Sequence, residues 1–140
     1  LVCIMASILF GCATIRVYEG PARDQSTTAL LKIDGGTFLF SPSRISLEVD
    51  GITYPDASRY ELLPGRHRVA VMAFYNYQVQ QTPSTRSLNT ASYGSNEMTF
   101  TAEAGRVYVM KLNVSVFGKS HINPTIVDVG SGEVLARHQK

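Results

Sequence analysis

Three histidines, His67, His121 and His138, have the widest chemical latitude in this chain, since imidazole serves as base, nucleophile or metal ligand near neutral pH. They fall in three separate segments, without the i, i+4 or short-loop spacing that builds a zinc site. His67 follows a Pro64-Gly65 turn, a position from which a ring nitrogen reaches a backbone carbonyl. Ser120 precedes His121, but adjacency in sequence says nothing of a nucleophile-base geometry, and there is no G-x-S-x-G elbow. No Gly-rich phosphate loop is present. Glu48 and Asp50 share one face of a strand pattern and read as a solvated face rather than an acid and base pair. The residue types therefore assign no catalytic group, no metal ligand and no cofactor. A binding surface is the alternative to the plainer reading of residues 76–96 as a flexible hairpin tip beside ordinary core aromatics. Tyr75, Tyr77 and Tyr93 offer flat faces to a ring or partner, with Gln78, Gln80 and Arg86 beside them as hydrogen-bonding groups. Residues 82–96 are Ser/Thr/Asn-rich with Arg86 as their one charge, and read as a long loop at the tip of a strand.

The other reactive group is the thiol of Cys12. It follows LVCIMASILF, an apolar run with Ser7 as its one polar residue; the first charge in the chain is Arg16. As a helix this run spans roughly 15 Å at about 1.5 Å per residue, too little for a bilayer core of about 30 Å. Its length is that of a signal-peptide h-region, and the chain starts at Leu1 without a basic n-region, so its true N-terminus is expected to lie further upstream. Leu9-Phe10-Gly11-Cys12 resembles a bacterial lipobox, with Phe10 larger than the pattern prefers. The resemblance implies cleavage between Gly11 and Cys12 and acylation of the Cys12 sulfur. Two or three acyl chains would anchor stably, at about 0.8 kcal/mol per buried CH₂. Ala13 follows Cys12 where an Asp would signal inner-membrane retention, so the resemblance implies the periplasmic face of the outer membrane. With Cys3 lost and Cys12 lipidated, the mature chain holds no thiol to pair.

The elements that would position these groups read as strands. The 140 residues suit one domain, and 13 Lys+Arg against 11 Asp+Glu exclude a polybasic nucleic-acid arm or an acidic tail. Residues 12–27 are polar and contain Gly20-Pro21, as a tether does; residues 28–140 carry the domain. ISLEVD (45–50) alternates, with Ile45, Leu47 and Val49 on one face, and Asp50-Gly51 supplies a hairpin turn. EMTFTA (97–102) alternates likewise, placing Met98, Phe100 and Ala102 inward. RHRVAVMAFY (66–75) and RVYVMKLNVSV (106–116) are apolar on both faces and are the expected central strands. Ala29, Leu31 and Ile33 mark an earlier strand, and 125–129 with 133–137 form a closing hairpin across Gly130-Ser131-Gly132. Gly65-Arg66-x-x-Val69 and Gly105-Arg106-x-x-Val109 repeat one pattern, read as the same turn chemistry used twice. The expected fold is all-β, a single antiparallel β-sandwich of seven or eight short strands.

ISLEVDG, ELLPGRHRVAV and FTAEAGRVYVMKL together resemble a PEGA-like module over residues 45–112, although Phe74-Tyr75-Asn76-Tyr77 stands where that pattern has Gly-Tyr. With Tyr18-Glu19-Gly20-Pro21 and the closing Asp128–Val134 stretch, the chain also resembles small proteobacterial lipoproteins. These resemblances imply a lipid-anchored cell-envelope protein, a binding or structural module contacting peptidoglycan, a glycan or another envelope protein. They supply no catalytic residue. The alternative, a small envelope hydrolase or metal-dependent enzyme, has only the scattered histidines and carboxylates behind it.

Overall fold

Alternation of apolar and polar side chains at period two is the dominant local signal, and it folds into strands with one buried face each. The computed structural model describes residues 14–34, 44–82, 85–94, 97–115 and 121–137, with the backbone alone at 44, 73–82, 85–94, 114, 115 and 121. Among them are β1 (Thr14–Arg16), β2 (Ala29–Asp34), β3 (Arg44–Val49), β4 (Ile52–Tyr54), β5 (Arg59–Leu62) and β6 (Gly65–Thr82). Then follow β7 (Thr85–Gly94), β8 (Met98–Ala102), β9 (Val107–Ser115), β10 (His121–Asp128) and β11 (Val134–Arg137). One 3-10 turn, Gln25–Thr27, is capped by the Asp24 carboxylate, which accepts from the Ser26 amide at 2.8 Å.

The strands form two sheets. One has six strands in the order β1-β5-β2-β9-β10-β11; the other runs β4-β3-β6-β7, with β8 also paired to β6. The all-β expectation holds, but its details need correction. There are eleven strands among the described residues rather than seven or eight. The sheets are also not purely antiparallel, because β1 pairs β5 and β2 pairs β9 in parallel. A parallel neighbour requires a crossover rather than a hairpin, and strand order in sequence carries no signal for it. The sheet begins inside the segment read as a tether: β1 aligns Ile15 with Tyr60, and the Tyr18 hydroxyl bonds the Glu61 carboxylate.

A second correction concerns residues 82–96. Apart from the undescribed 83, 84, 95 and 96, this stretch is not a loop but mostly β7, paired antiparallel to β6 from Met72↔Gly94 to Thr82↔Thr85. Its Ser/Thr/Asn composition reads as loop by propensity; the long ladder offered by β6 overrides that preference.

The core is the meeting of the two alternating faces. Ile45, Leu47, Val49, Val69, Val71, Met98 and Phe100 come from one sheet, and Leu31, Tyr60, Leu62, Tyr108, Met110, Leu112 and Ile126 from the other. Each such side chain contributes about 1.5–3 kcal/mol on burial. β6 is less two-faced than its sequence suggests, since Met72 is 43% exposed. Two buried tyrosines tie strands to the turns before them. The Tyr60 hydroxyl donates to the Pro55 carbonyl at 2.9 Å and accepts from the Ala57 amide at 3.1 Å. The Tyr108 hydroxyl accepts from the Glu103 amide at 2.9 Å, and its ring meets Phe100 edge-on with centroids 5.3 Å apart. Among the described residues no helix is long and apolar enough to cross a membrane.

Candidate functional site: a polar seam beside β8

Antiparallel pairing of β6 with β8 sets Arg66 opposite Thr101, His67 opposite Phe100 and Arg68 opposite Thr99. Strand alternation then separates two faces. Val69, Met98 and Phe100 go to the core, while Arg66, Arg68, Thr99 and Thr101 remain exposed. Among the described residues β8 pairs only with β6, so its other edge is open toward the β10–β11 turn and β11. A cavity of about 430 Å³ follows this edge, with Arg66, Thr99, Thr101, Tyr108 and Glu133 on its walls and Asp128 and Arg106 beside the turn. That volume falls in the range of small-ligand sites, roughly 300–1,000 Å³.

Most charges around the cavity hold the fold. Asp128 is 5% exposed, and its Oδ1 accepts from the amides of Gly130 at 2.8 Å and Ser131 at 3.0 Å. Its Oδ2 faces the Arg106 guanidinium at 3.4 Å. The Ser131 amide is the largest influence holding this carboxyl below the ordinary range; Gly130 and Arg106 add to it against the opposing effect of burial. Gly130 has no side chain for a local reason: a Cβ there would stand 3.3 Å from the Asp128 carboxylate. Arg106 is also paired with Glu103 at 3.4 Å. Arg66 and Glu133, in contrast, have no charged partner among the described residues. The Tyr108 side chain is 1% exposed, and its hydroxyl hydrogen has no acceptor among those residues.

A second hollow of about 390 Å³ adjoins the first, sharing Arg66 and Thr99 and lined further by Asp50, His67 and Arg68. Here His67 does meet a backbone carbonyl: its Nε2 lies 2.7 Å from the Leu63 oxygen, and its Nδ1 lies 2.7 Å from Asp50 Oδ2. Both ring nitrogens are therefore engaged by structural partners, which leaves neither for a substrate or a metal. Asp50 is the described non-glycine residue with positive φ, 51°, followed by Gly51 at 85°, as a tight hairpin turn requires. Burial pushes the Asp50 carboxyl up, but the Arg68 amide and His67 outweigh it and hold the group below its usual range.

The residues singled out from sequence are placed differently. Gly11 and Cys12 lie outside the described residues, as does His138. Tyr75 and Tyr77 fall in β6, opposite Ala91 and Asn89; Tyr93 and Arg86 fall in β7, opposite Ala73 and Gln80. One hairpin thus carries all four positions. His121 opens β10, opposite Ser115 on β9 and outside the β6–β8 ladder that holds His67. Sequence reasoning missed the seam, whose residues come from β6, β8, the start of β9 and the β10–β11 turn. The Gly105-Arg106 and Asp128-x-Gly-Ser-Gly turns were its only local signal.

Comparison of the chain with protein-family models, with curated proteins and with solved structures gives no match. The PEGA-like reading of residues 45–112 accordingly rests on its motif residues alone.

Proposed function

We propose that this protein is a lipid-anchored component of the bacterial cell envelope, a binding or structural module that contacts peptidoglycan, a glycan or another envelope protein. The observation that carries the reading is Leu9-Phe10-Gly11-Cys12 closing an apolar run with no charge before Arg16. A short h-region followed by a small residue and a thiol is what lipoprotein processing needs. The body supports a binding role rather than catalysis: His67 has both nitrogens engaged, and Asp128 is held by a turn and by Arg106. What stays open is recognition chemistry in the seam cavity, and the β6–β7 hairpin carries the positions of Tyr75, Tyr77, Arg86 and Tyr93 as a second candidate surface.

Expression with its natural upstream sequence in a Gram-negative host tests the anchor. The wild-type chain takes up labelled acyl groups and is cut before Cys12, whereas Cys12→Ala is neither labelled nor cut there. Equal labelling of the two chains, or an unlabelled wild-type chain, would refute the anchor. Retention of the chain by purified cell wall or by immobilised envelope extract tests the binding role, and passage through both unretained counts against it.

A further inference from the structure

Among the described residues, the seam cavity combines one cation and one carboxylate that have no ion-pair partner with several hydroxyls. Arg66 lines it, is exposed and has no ion-pair partner among the described residues. Directly across the β6–β8 ladder stands Thr101, with Thr99 two residues along on the same face. Buried Tyr108 also lines the cavity, its hydroxyl hydrogen without an acceptor among the described residues. Glu133 also lines the cavity, its carboxylate without an ion-pair partner among the described residues. The second cation, Arg106, is neutralised by Glu103 and Asp128 and adds no free charge.

We propose that this cavity binds an acidic sugar, a saccharide unit carrying one carboxylate. A guanidinium presents a planar fork of donors that matches a carboxylate in two parallel hydrogen bonds, and Arg66 supplies such a fork with no ion-pair partner among the described residues. The cross-strand Thr101 hydroxyl donates to the same carboxylate. Ring hydroxyls supply both donors and acceptors, which the rest of the wall requires: Glu133 accepts from them, and Thr99 and Tyr108 donate to them. A neutral sugar would leave Arg66 unpaired, and a simple anion such as phosphate would leave Glu133 facing a like charge. The proposal rests on the binding-module reading and names the ligand class of its site.

The test uses the detergent-solubilised full chain, isotope-labelled and titrated with D-glucuronate, D-glucose and inorganic phosphate. Glucuronate should shift the amide signals of Thr99, Thr101 and Ser131 in a saturable way, with glucose and phosphate at least tenfold weaker. Arg66→Gln should weaken glucuronate at least tenfold at an unchanged melting temperature. Since Arg66 is exposed and unpaired, this variant is expected to fold, and Arg137→Gln on β11 serves as the charge-matched control with unchanged binding. Equal binding of glucose or phosphate, undiminished binding by Arg66→Gln, or absence of saturable shifts overturns the proposal. If glucuronate fails while purified cell wall still retains the chain, the acidic-sugar assignment falls and the binding-module reading stands. If glucuronate binds as described while neither wall nor envelope extract retains the chain, the ligand class stands and those partners are removed.

Discussion

The His67–Asp50 contact makes a sharp quantitative prediction. His67 lies between Asp50 Oδ2 and the Leu63 carbonyl, 2.7 Å from each. Both are acceptors, so the ring makes both bonds only when both nitrogens carry hydrogen. The Asp50 Oδ1 meanwhile accepts from the Arg68 amide at 2.9 Å, and the Asp50 amide donates to the Arg68 carbonyl at 2.8 Å. One side chain thus bolts the β3–β4 turn to β6 and to the turn before it. A hydrogen bond to a charged group such as the Asp50 carboxylate contributes about 1.5–3 kcal/mol when sheltered. Here the Asp50 side chain is 48% exposed and that of His67 12%, so solvent screening lowers the expected coupling to about 1 kcal/mol. A double-mutant cycle with Asp50→Asn and His67→Gln, followed by urea unfolding at pH 6, measures it. Asn tolerates the left-handed backbone at position 50, so the variant isolates the charge. The folded-state pKa of Asp50 is depressed, so its stabilisation is fully present above the unfolded value of about 3.9 and is lost as pH falls through the folded one. The coupling should therefore shrink toward zero on acidification below pH 4. A coupling indistinguishable from zero at pH 6, or one that persists undiminished at pH 3, would refute the reasoning.

Three further outcomes follow from the geometry. Tyr60→Phe removes the hydroxyl shared by the Pro55 carbonyl and the Ala57 amide, and should cost about 1–2 kcal/mol in urea unfolding; unchanged stability would show that the bend before β5 holds without it. Val71→Asp places an unpaired carboxylate at a position 2% exposed between the sheets and should abolish cooperative folding by circular dichroism; a folded, soluble variant would mean that this face of β6 is not core. Asp128→Asn should lower the melting temperature at neutral pH, with the two chains converging as pH falls through the depressed folded pKa of Asp128; a difference that grows on acidification contradicts that sign.

Legibility in the sequence tracked how local the determinant was. The strand at Ile45, Leu47 and Val49 and the one at Met98, Phe100 and Ala102 are readable because alternation alone decides which face is buried, and the structure buries those six. The turn at Asp50-Gly51 is readable because two successive positive φ angles leave few residue types to choose from. β1, with three residues, and β5, with four, are too short to display a period. β7 is hidden by its composition and exists as a strand because β6 runs on past β8 and offers it a ladder. His67 was readable as far as its carbonyl partner, but Asp50 reaches it only through the β3–β6 pairing. The seam was not readable at all, since nothing local brings Thr101, Asp128 and Glu133 together.

The two Gly-Arg pairs show how one local motif acquires two roles. Gly65 has φ 135° and Gly105 has φ 74°, so they occupy different turns despite their shared sequence context. Each is followed by an arginine at the head of a strand, and topology decides what that arginine meets. Arg106 faces the β10–β11 turn, where Asp128 waits, and Glu103 lies three residues before it. Arg66 faces β8 and finds Thr101 in the place where a carboxylate would neutralise it. Thr101→Asp supplies that carboxylate within the chain. Side chains directly opposite on antiparallel strands have Cβ atoms about 4.5–5.5 Å apart, and an opposite-charge pair there contributes roughly 0.2–1 kcal/mol. The variant should therefore melt at the same temperature as the wild type or slightly higher, yet lose glucuronate-dependent shifts, because Arg66 is already paired and the cavity has gained a negative charge. Undiminished glucuronate binding by a stable Thr101→Asp chain would show that Arg66 is a surface charge like any other, and that its lack of a partner has no bearing on recognition.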